Sequence, residues 1–426
     1  MSVSSIEFLA LVLLLCGVFF LLPVRSARRG VLAIVNLGVL LWASLIGGAP
    51  PSPWSFMTLV MFLFSGYGVA RLLAKRPSGV VLTAYLALLA LIFVYIKKYV
   101  VLGALLPPVL FEHPVSIVGL SYMLFRQIHF VVDSAQGQIA APQLWTYLNY
   151  QINFTTLLAG PIQRYQDFAR DWDRAEPLGL TAPDRVGLFQ RIFWGVIKIV
   201  VLATLCTSIY DSAYVALKWA LSGSADVSKI YVLRQFLAML YAYPAFVYFN
   251  FSGYCDVVIG TAALLGMRLP ENFDRPYMSR NMIDFWTRQH MTLSFWIRDY
   301  LFTPLYKAIV ERSMSLAQPA VYVCYFIAFL LAGIWHGSTM NFVVFGLMHG
   351  AGVSSVKIWE TIIVKRVGRQ GLKRYLQIRW VRVAAIFITL NFVSVAFVFF
   401  TPDLQQKLNV LGGVFKFVFF GIVKHA

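Results

Sequence analysis

Residues 79–96 read Gly79-Val80-Val81-Leu82-Thr83-Ala84-Tyr85-Leu86-Ala87-Leu88-Leu89-Ala90-Leu91-Ile92-Phe93-Val94-Tyr95-Ile96, without one charged position. Crossing the hydrocarbon core of a bilayer takes about 20 helical residues, and every backbone polar group there must be paired within the segment. The run therefore reads as a transmembrane helix. Comparable apolar runs recur at about 6–24, 31–48, 54–73, 115–132, 189–215, 231–251, 317–335, 340–362, 383–400 and 408–423. The alternating pattern of barrel strands is absent, so the spans are helices.

Composition agrees with this reading. The 426 residues are 59% hydrophobic and 13% charged, with a mean hydropathy of +0.73. Soluble domains are about 45–50% apolar and about 25% charged. A soluble enzyme, a disordered chain and a fibrous protein are excluded. The expected fold class is an all-α polytopic membrane protein of about ten to twelve transmembrane helices. Residues 1–426 are expected to form a single integral-membrane domain, with N-terminal spans over 1–110, a core over 111–350 and C-terminal spans over 351–426. No basic residue precedes the first apolar run, and Arg25, Arg28 and Arg29 follow it, so it reads as a retained span rather than a cleaved signal peptide.

The formal charge is +18, from 36 Lys and Arg against 18 Asp and Glu. In this setting the excess points to cytoplasmic loops and anionic lipid, and no nucleic-acid partner is expected. Arg25, Arg28 and Arg29, then Arg71, Lys75 and Arg76, and finally Lys365, Arg366, Arg369, Lys373, Arg374, Arg379 and Arg382 mark three cytoplasmic loops. The uncharged turn 47–53 then lies outside, while Lys97 and Lys98 run against that orientation. Cys16, Cys206, Cys255 and Cys324 lie far apart in apolar stretches and read as packing residues.

Three segments are apolar but interrupted. Residues 143–168 contain Asn149, Asn153 and Gly160-Pro161; residues 253–270 contain Gly253, Asp256, Gly260 and Gly266. Residues 281–309 mix aromatics with charge: Asp284, Trp286, Arg288, His290, Trp296, Arg298, Asp299 and Tyr300. Broken backbone at membrane depth is tolerated only inside protein or against a wet cavity, and charge there is usually functional. Residues 143–310 are therefore expected to line an internal cavity, with helices that enter the membrane without all crossing it. No internal repeat supports an inverted-repeat transporter.

Of six histidines, His113 and His425 read as solvated, and His129, four residues before Asp133, as a packed, hydrogen-bonded residue. His336 lies in Gly333-Ile334-Trp335-His336-Gly337-Ser338, at the end of an apolar run. Glycine permits close approach, tryptophan can wall off water, and a neutral imidazole suits general-base work on a hydroxyl. His290 stands in Arg288-Gln289-His290-Met291-Thr292-Leu293-Ser294; on one continuous helix His290, Ser294 and Arg298 would share a face. Structural and functional readings of His290 stay open. His349, in Gly346-Leu347-Met348-His349-Gly350, reads as helix packing. No metal site is expected, since no pair has ligand spacing. Base-assisted acyl transfer is the best chemical fit.

Several motifs together resemble the membrane-bound O-acyltransferase family. They are Leu158-Ala159-Gly160-Pro161-Ile162, Phe251-Ser252-Gly253-Tyr254-Cys255-Asp256, Leu269 to Tyr277, Asp284 to Ser294, Trp296-Ile297-Arg298-Asp299-Tyr300, the box Gly333-Ile334-Trp335-His336-Gly337, and Phe345 to Gly350. They occur in the family's order. The resemblance implies helices, some re-entrant or interfacial, around a central funnel or tunnel, with 111–350 as catalytic core. It also implies His336 as catalytic histidine and His290 as a second one. Asp256, Asn272, Arg275, Ser294, Arg298, Asp299 and Trp335 would support the tunnel, the site or the fold. Two bacterial branches are similar: the polysaccharide O-acetyltransferases and the teichoic-acid D-alanyl transferases. Asp256 and Arg298 to Leu305 favour the first, while Tyr306-Lys307 and Gln289 depart from its pattern.

The expectation is thus an enzyme of the bacterial inner membrane. It would move an acyl group, with acetyl favoured, from a cytoplasmic thioester to a hydroxyl outside. The acceptor is a polysaccharide or a periplasmic partner protein, and His336 would take the hydroxyl proton or relay the acyl group. The donor, acetyl-CoA or an acyl carrier protein, is a co-substrate, and no cofactor is permanently bound. The rival classes are D-alanyl transfer, a transporter or flippase of lipid-linked sugars, and a scaffold subunit.

Overall fold

The computed structural model describes residues 6–22, 24–46, 53–97, 119–175, 180–223, 227–401 and 404–421, and it is helical apart from one isolated bridge, Phe273 with Gln289. Among the described residues, seven helices are long and apolar enough to cross a membrane: Pro53–Lys75, Gly79–Ile96, Ala182–Leu221, Lys229–Leu264, Met314–His336, Met340–Gln377 and Arg379–Val398. Shorter helices accompany them, among them Ile6–Leu21, Leu120–Ala135, Leu144–Gln151, Met291–Ile297 and Leu404–Phe420. Large apolar side chains stand exposed on the long helices, such as Leu91 at 69% and Ile388 at 66%, which only a lipid solvent makes favourable. His113, His425, Lys98 and most of the 47–53 turn lie outside the described residues.

The described chain divides into two compact units, Met1–Gly195 with Tyr254–Asn272, and Val196–Gly253 with Phe273–Ala426. The first is organised by Leu120–Ala135, which is buried on nearly every side and carries its polar groups inward. Such groups are tolerated only when paired. Gln127 Nε2 donates to the Phe62 carbonyl at 2.9 Å and to the Tyr85 hydroxyl at 2.6 Å, and its Oε1 accepts from Tyr147. Arg126 donates to the carbonyls of Tyr150 and Gln151 at 2.9 and 2.7 Å, and to Thr156. His129 Nε2 accepts the Tyr165 N–H at 2.9 Å, so this histidine is the packed, bonded residue its sequence setting suggests. Segment 144–163 is helical only as far as Gln151, and these contacts hold its Tyr150, Gln151 and Thr156.

Arg126→Met should remove the donors serving the Tyr150 and Gln151 carbonyls. Each acceptor left unpaired in the interior costs about 1–3 kcal/mol. The expected result is a clearly lower melting temperature and a poorer yield of monodisperse protein in detergent. An unchanged melting curve would mean that these carbonyls find other donors.

Two expectations need correction. Residues 253–264 are not broken; the helix runs through them to Leu264 and ends at Gly266 in a left-handed turn (φ 79), where the Met267 N–H bonds the Ala262 carbonyl at 2.8 Å. Gly260 serves packing instead, because a Cβ there would meet Ile192 at 2.7 Å and the Leu188 carbonyl at 3.2 Å. The basic stretch 365–382 is helical as well, as far as Gln377 with a kink at Gly368 (φ 72) and again from Arg379. Lys and Arg are good helix formers, so charge alone does not make a loop. Arg25, Arg28 and Arg29 likewise open the helix Arg25–Ile46.

In the second unit, Met282, Phe285, Trp286, Phe329, Val353, Val393 and Phe397 form one apolar cluster. Ala213, Leu217, Val232, Met239, Val410, Val414 and Phe417 form another.

Candidate active site

The helices Ala317–His336 and Met340–Gln377 cross at glycines. A Cβ on Gly333 would overlap the Phe342 carbonyl and come 2.8 Å from Gly346 Cα, and one on Gly346 would lie 2.6 Å from the Phe329 carbonyl. Backbones approach this closely only where neither residue carries a side chain. Gly337 then caps the first helix in extended backbone, and the Phe342 ring fills the space its Cβ would need. The outcome is that His336 sits at the very end of a helix, half-buried.

Aromatic rings surround it. Centroids of Trp335, Phe400 and Phe345 lie 4.7, 4.9 and 6.1 Å from the His336 ring. Two more imidazoles are close enough for the charge of His336 to act on them, His290 and His349. A hydroxyl brought to this cluster would meet a base in a water-poor, aromatic surround, a setting suited to proton removal.

His290 is buried, and its ring lies 4.8 Å from Phe251 in an edge-on contact. Its backbone is left-handed (φ 48), an uncommon state for a residue with a side chain and one that needs support from its surroundings. That support is visible. The Asp274 N–H bonds the Arg288 carbonyl at 2.9 Å, and Arg288 Nε bonds Asp284 at 2.7 Å. Asn281 caps Met282–Trp286 by accepting the Asp284 N–H at 2.8 Å, and the Phe273 ring packs on Phe251 at 5.2 Å.

The helical face expected for His290, Ser294 and Arg298 is not kept. His290 precedes the helix Met291–Ile297, and Arg298 begins a turn of π-helix that runs to Phe302. The left-handed residue turns the chain before the helix starts, so His290 leaves that face. Ser294 and Arg298 instead line a pocket of about 120 Å³ with Trp286, Phe302 and Phe329. Arg298 pairs with Asp299 at 2.8 Å and lies 5.0 Å from the Phe295 ring centroid. Arg275 is exposed and left-handed (φ 45), heading the turn Pro276–Met278.

Asp256 and Asn272 belong to the first unit. Asp256 accepts Arg191 Nε at 3.0 Å, while the other arms of that guanidinium hold Glu271 at 2.7 and 2.6 Å. Asn272 is fully buried, its amide 3.5 Å from Cys255 Sγ. Asp256 is therefore held in an ion pair that ties the start of the 256–271 stretch to its end.

Sequence reasoning missed Arg191, and it did not show the partner of His349. Arg191 is a charge near the start of a long apolar run, and that was its available signal. His349, read as packing, is buried and accepts the Trp286 indole N–H on Nδ1 at 3.1 Å, which puts its proton on Nε2. Its ring also packs on Phe345 at 4.3 Å, the residue that faces His336. Among the described residues no group of three His, Cys, Asp or Glu side chains is placed to hold a metal ion.

These features define a multi-pass helical membrane protein with a histidine at a helix end among aromatic rings. The model of the membrane-bound O-acyltransferase family matches residues 54–399, and the chain belongs to that family: it is an O-acyltransferase. It is 28% identical over 297 residues to the teichoic acid D-alanyltransferase of Streptococcus thermophilus, covering 68% of this chain and 69% of that protein. It is 30% identical over 315 residues to the probable alginate O-acetylase of Pseudomonas fluorescens, covering 73% and 57%. With the probable alginate O-acetylase of Pseudomonas syringae pv. tomato it shares 31% over 247 residues, 58% and 43%.

Proposed function

We propose that this enzyme carries an acyl group, acetyl in the favoured case, from a thioester on the cytoplasmic side to a hydroxyl on the far side. The donor is acetyl-CoA or an acyl carrier protein acting as co-substrate. The acceptor is an extracytoplasmic polysaccharide or a periplasmic partner protein, and the site is a bacterial inner membrane. The whole chain 1–426 acts as one integral-membrane domain with ten to twelve spans (about 20 residues each) and re-entrant helices around a tunnel.

The observation that supports this most is His336 at the end of its helix, beside Trp335 and within electrostatic reach of His290. His336 takes the proton of the attacking hydroxyl while the oxygen bonds to the thioester carbonyl carbon. The C–O bond forms, the C–S bond breaks, and His336 returns the proton to the leaving sulfur, which departs as the thiol. His290 orients the acceptor or His336. Trp335 and the phenylalanines keep water from competing for the acyl group. Asp256, Asn272 and Arg275 support the fold, and Ser294, Arg298 and Asp299 support the donor's path.

D-alanyl transfer is the second reading, favoured by alignments that span a larger share of the D-alanyltransferase than of the alginate O-acetylases, 69% against 57% and 43%. Membranes containing the enzyme, supplied in parallel with labelled acetyl-CoA and a labelled D-alanyl carrier protein, separate the two. Acetyl ester on an envelope polymer is expected; D-alanyl ester alone would establish the second reading, and label in neither would overturn both donor assignments.

Orientation is tested separately. Single cysteines at 25–30, 71–78 or 365–382, in a background without the four native cysteines, should resist an impermeant thiol reagent added outside, and one at 47–53 should react. Labelling of 365–382 from outside would reverse the topology.

A further inference from the structure

A pocket without a histidine in its described lining lies between two helices of the second unit. It has a volume of about 530 Å³ and is lined by Tyr214, Lys218, Gln406, Asn409, Gly412 and Lys416 among others. Its walls are the last two turns of Ala182–Leu221 and the middle of Leu404–Phe420, held together by Leu217, Val410 and Val414. The size falls within the range of about 300–1,000 Å³ usual for small-ligand sites.

Its polar groups are biased in one direction. Gln406 Oε1 accepts the Tyr214 hydroxyl at 3.0 Å, and Asn409 Oδ1 accepts Gln405 Nε2 at 3.2 Å. Both amide oxygens are therefore engaged, and each side chain keeps an NH₂ group able to donate. Two ammonium groups, Lys218 and Lys416, join them, and among the described lining residues there is no carboxylate. Behind the wall, buried Lys407 lies 3.9 Å from the Tyr214 ring centroid and adds a third positive charge. A pocket of donors and cations selects an anion.

The surroundings say which kind. Trp219, Phe415 and Phe419, neighbours of the two lysines in sequence, are 49%, 55% and 69% exposed, as expected of a lipid-facing surface. Aromatic side chains beside basic residues are characteristic of headgroup depth in a bilayer. We infer that this pocket binds the phosphate of an anionic phospholipid, with Lys218 and Lys416 on the phosphate oxygens and the acyl chains along the exposed aromatics. A lysine in the last turn of a helix also complements the helix dipole without any ligand, so the experiment has to separate the two roles.

The full-length protein, exchanged into detergent with phosphatidylglycerol or phosphatidylcholine, is examined by native mass spectrometry. The wild type and a Lys218→Arg/Lys416→Arg pair should each retain a tightly held phosphatidylglycerol. A Lys218→Gln/Lys416→Gln pair should bind it roughly tenfold more weakly or worse, since each basic group near anionic lipid contributes about 1 kcal/mol. Phosphatidylcholine should be held weakly by all three. Both lysines are exposed, and melting curves recorded on the same samples identify any folding defect; the single Lys416→Gln variant serves if the pair is unstable. Equal phosphatidylglycerol retention by the Gln and wild-type proteins would overturn the lipid site and leave Lys218 with its helix-end role alone. Displacement of the lipid by excess inorganic phosphate would make this a free-anion site and sink the lipid assignment. None of these readouts depends on acyl transfer.

Discussion

Replacement of His336 by alanine is expected to lower acyl transfer by about 10²–10⁴-fold, the usual contribution of a general base. The protein should still fold, because His336 is half-buried at a helix end and Gly337, not the imidazole, sets the cap. Ester content of the product polymer, measured at matched protein level, gives the result. A variant that kept more than about a tenth of normal activity would remove His336 from proton transfer. His290→Asn is the informative companion, since asparagine accepts the left-handed backbone that His290 adopts. Its activity should fall severely with the melting temperature little changed. His129→Ala should show the reverse, because His129 holds the Tyr165 backbone and stands in the other unit.

Gly333→Val should have the largest effect on folding. A side chain there overlaps the Phe342 carbonyl and meets Gly346 backbone, and neither can rotate aside. The two helices must separate, at a cost at or above the usual overpacking range of about 1–3 kcal/mol. The expected outcome is little monodisperse protein and no activity even with His336 intact. Wild-type yield and melting temperature in this variant would show that the crossing is looser than the backbone distances indicate. The helix face that ends in His336 thus depends on a residue three positions before it.

The spans were legible because lipid demands long apolar runs that carry their own hydrogen bonds, a pattern written along a single stretch of chain. Gly79–Ile96 begins and ends where its sequence suggests. Glycine was harder to interpret. Gly260 and Gly333 let helices approach, Gly266 ends one, and Gly160 precedes a cis proline, all with the same letter. Which role applies depends on a partner far away in sequence. The same holds for Arg191, whose partners Asp256 and Glu271 lie 65 and 80 positions on. His349 looked like packing because its neighbours are small, and the bond from Trp286 spans 63 positions. The stripe of His290, Ser294 and Arg298 failed because spacing arguments assume an unbroken helix, whereas one left-handed residue ended it.

The turn of π-helix at Arg298–Phe302 bears on how this chain tolerates insertion and deletion. A π turn closes its hydrogen bonds one residue later than an α turn, so it stores one residue beyond what the helix needs. Loss of a single residue from 298–302 can be absorbed by reverting to α geometry, leaving Met291–Ile297 and Thr303–Arg312 in their present packing. The same loss within Thr303–Arg312 has no such reserve and turns every later side chain by about 100°. Length variation among related chains should therefore collect at this turn, and a gap falling there in an alignment marks a change of helix type with the flanking faces preserved.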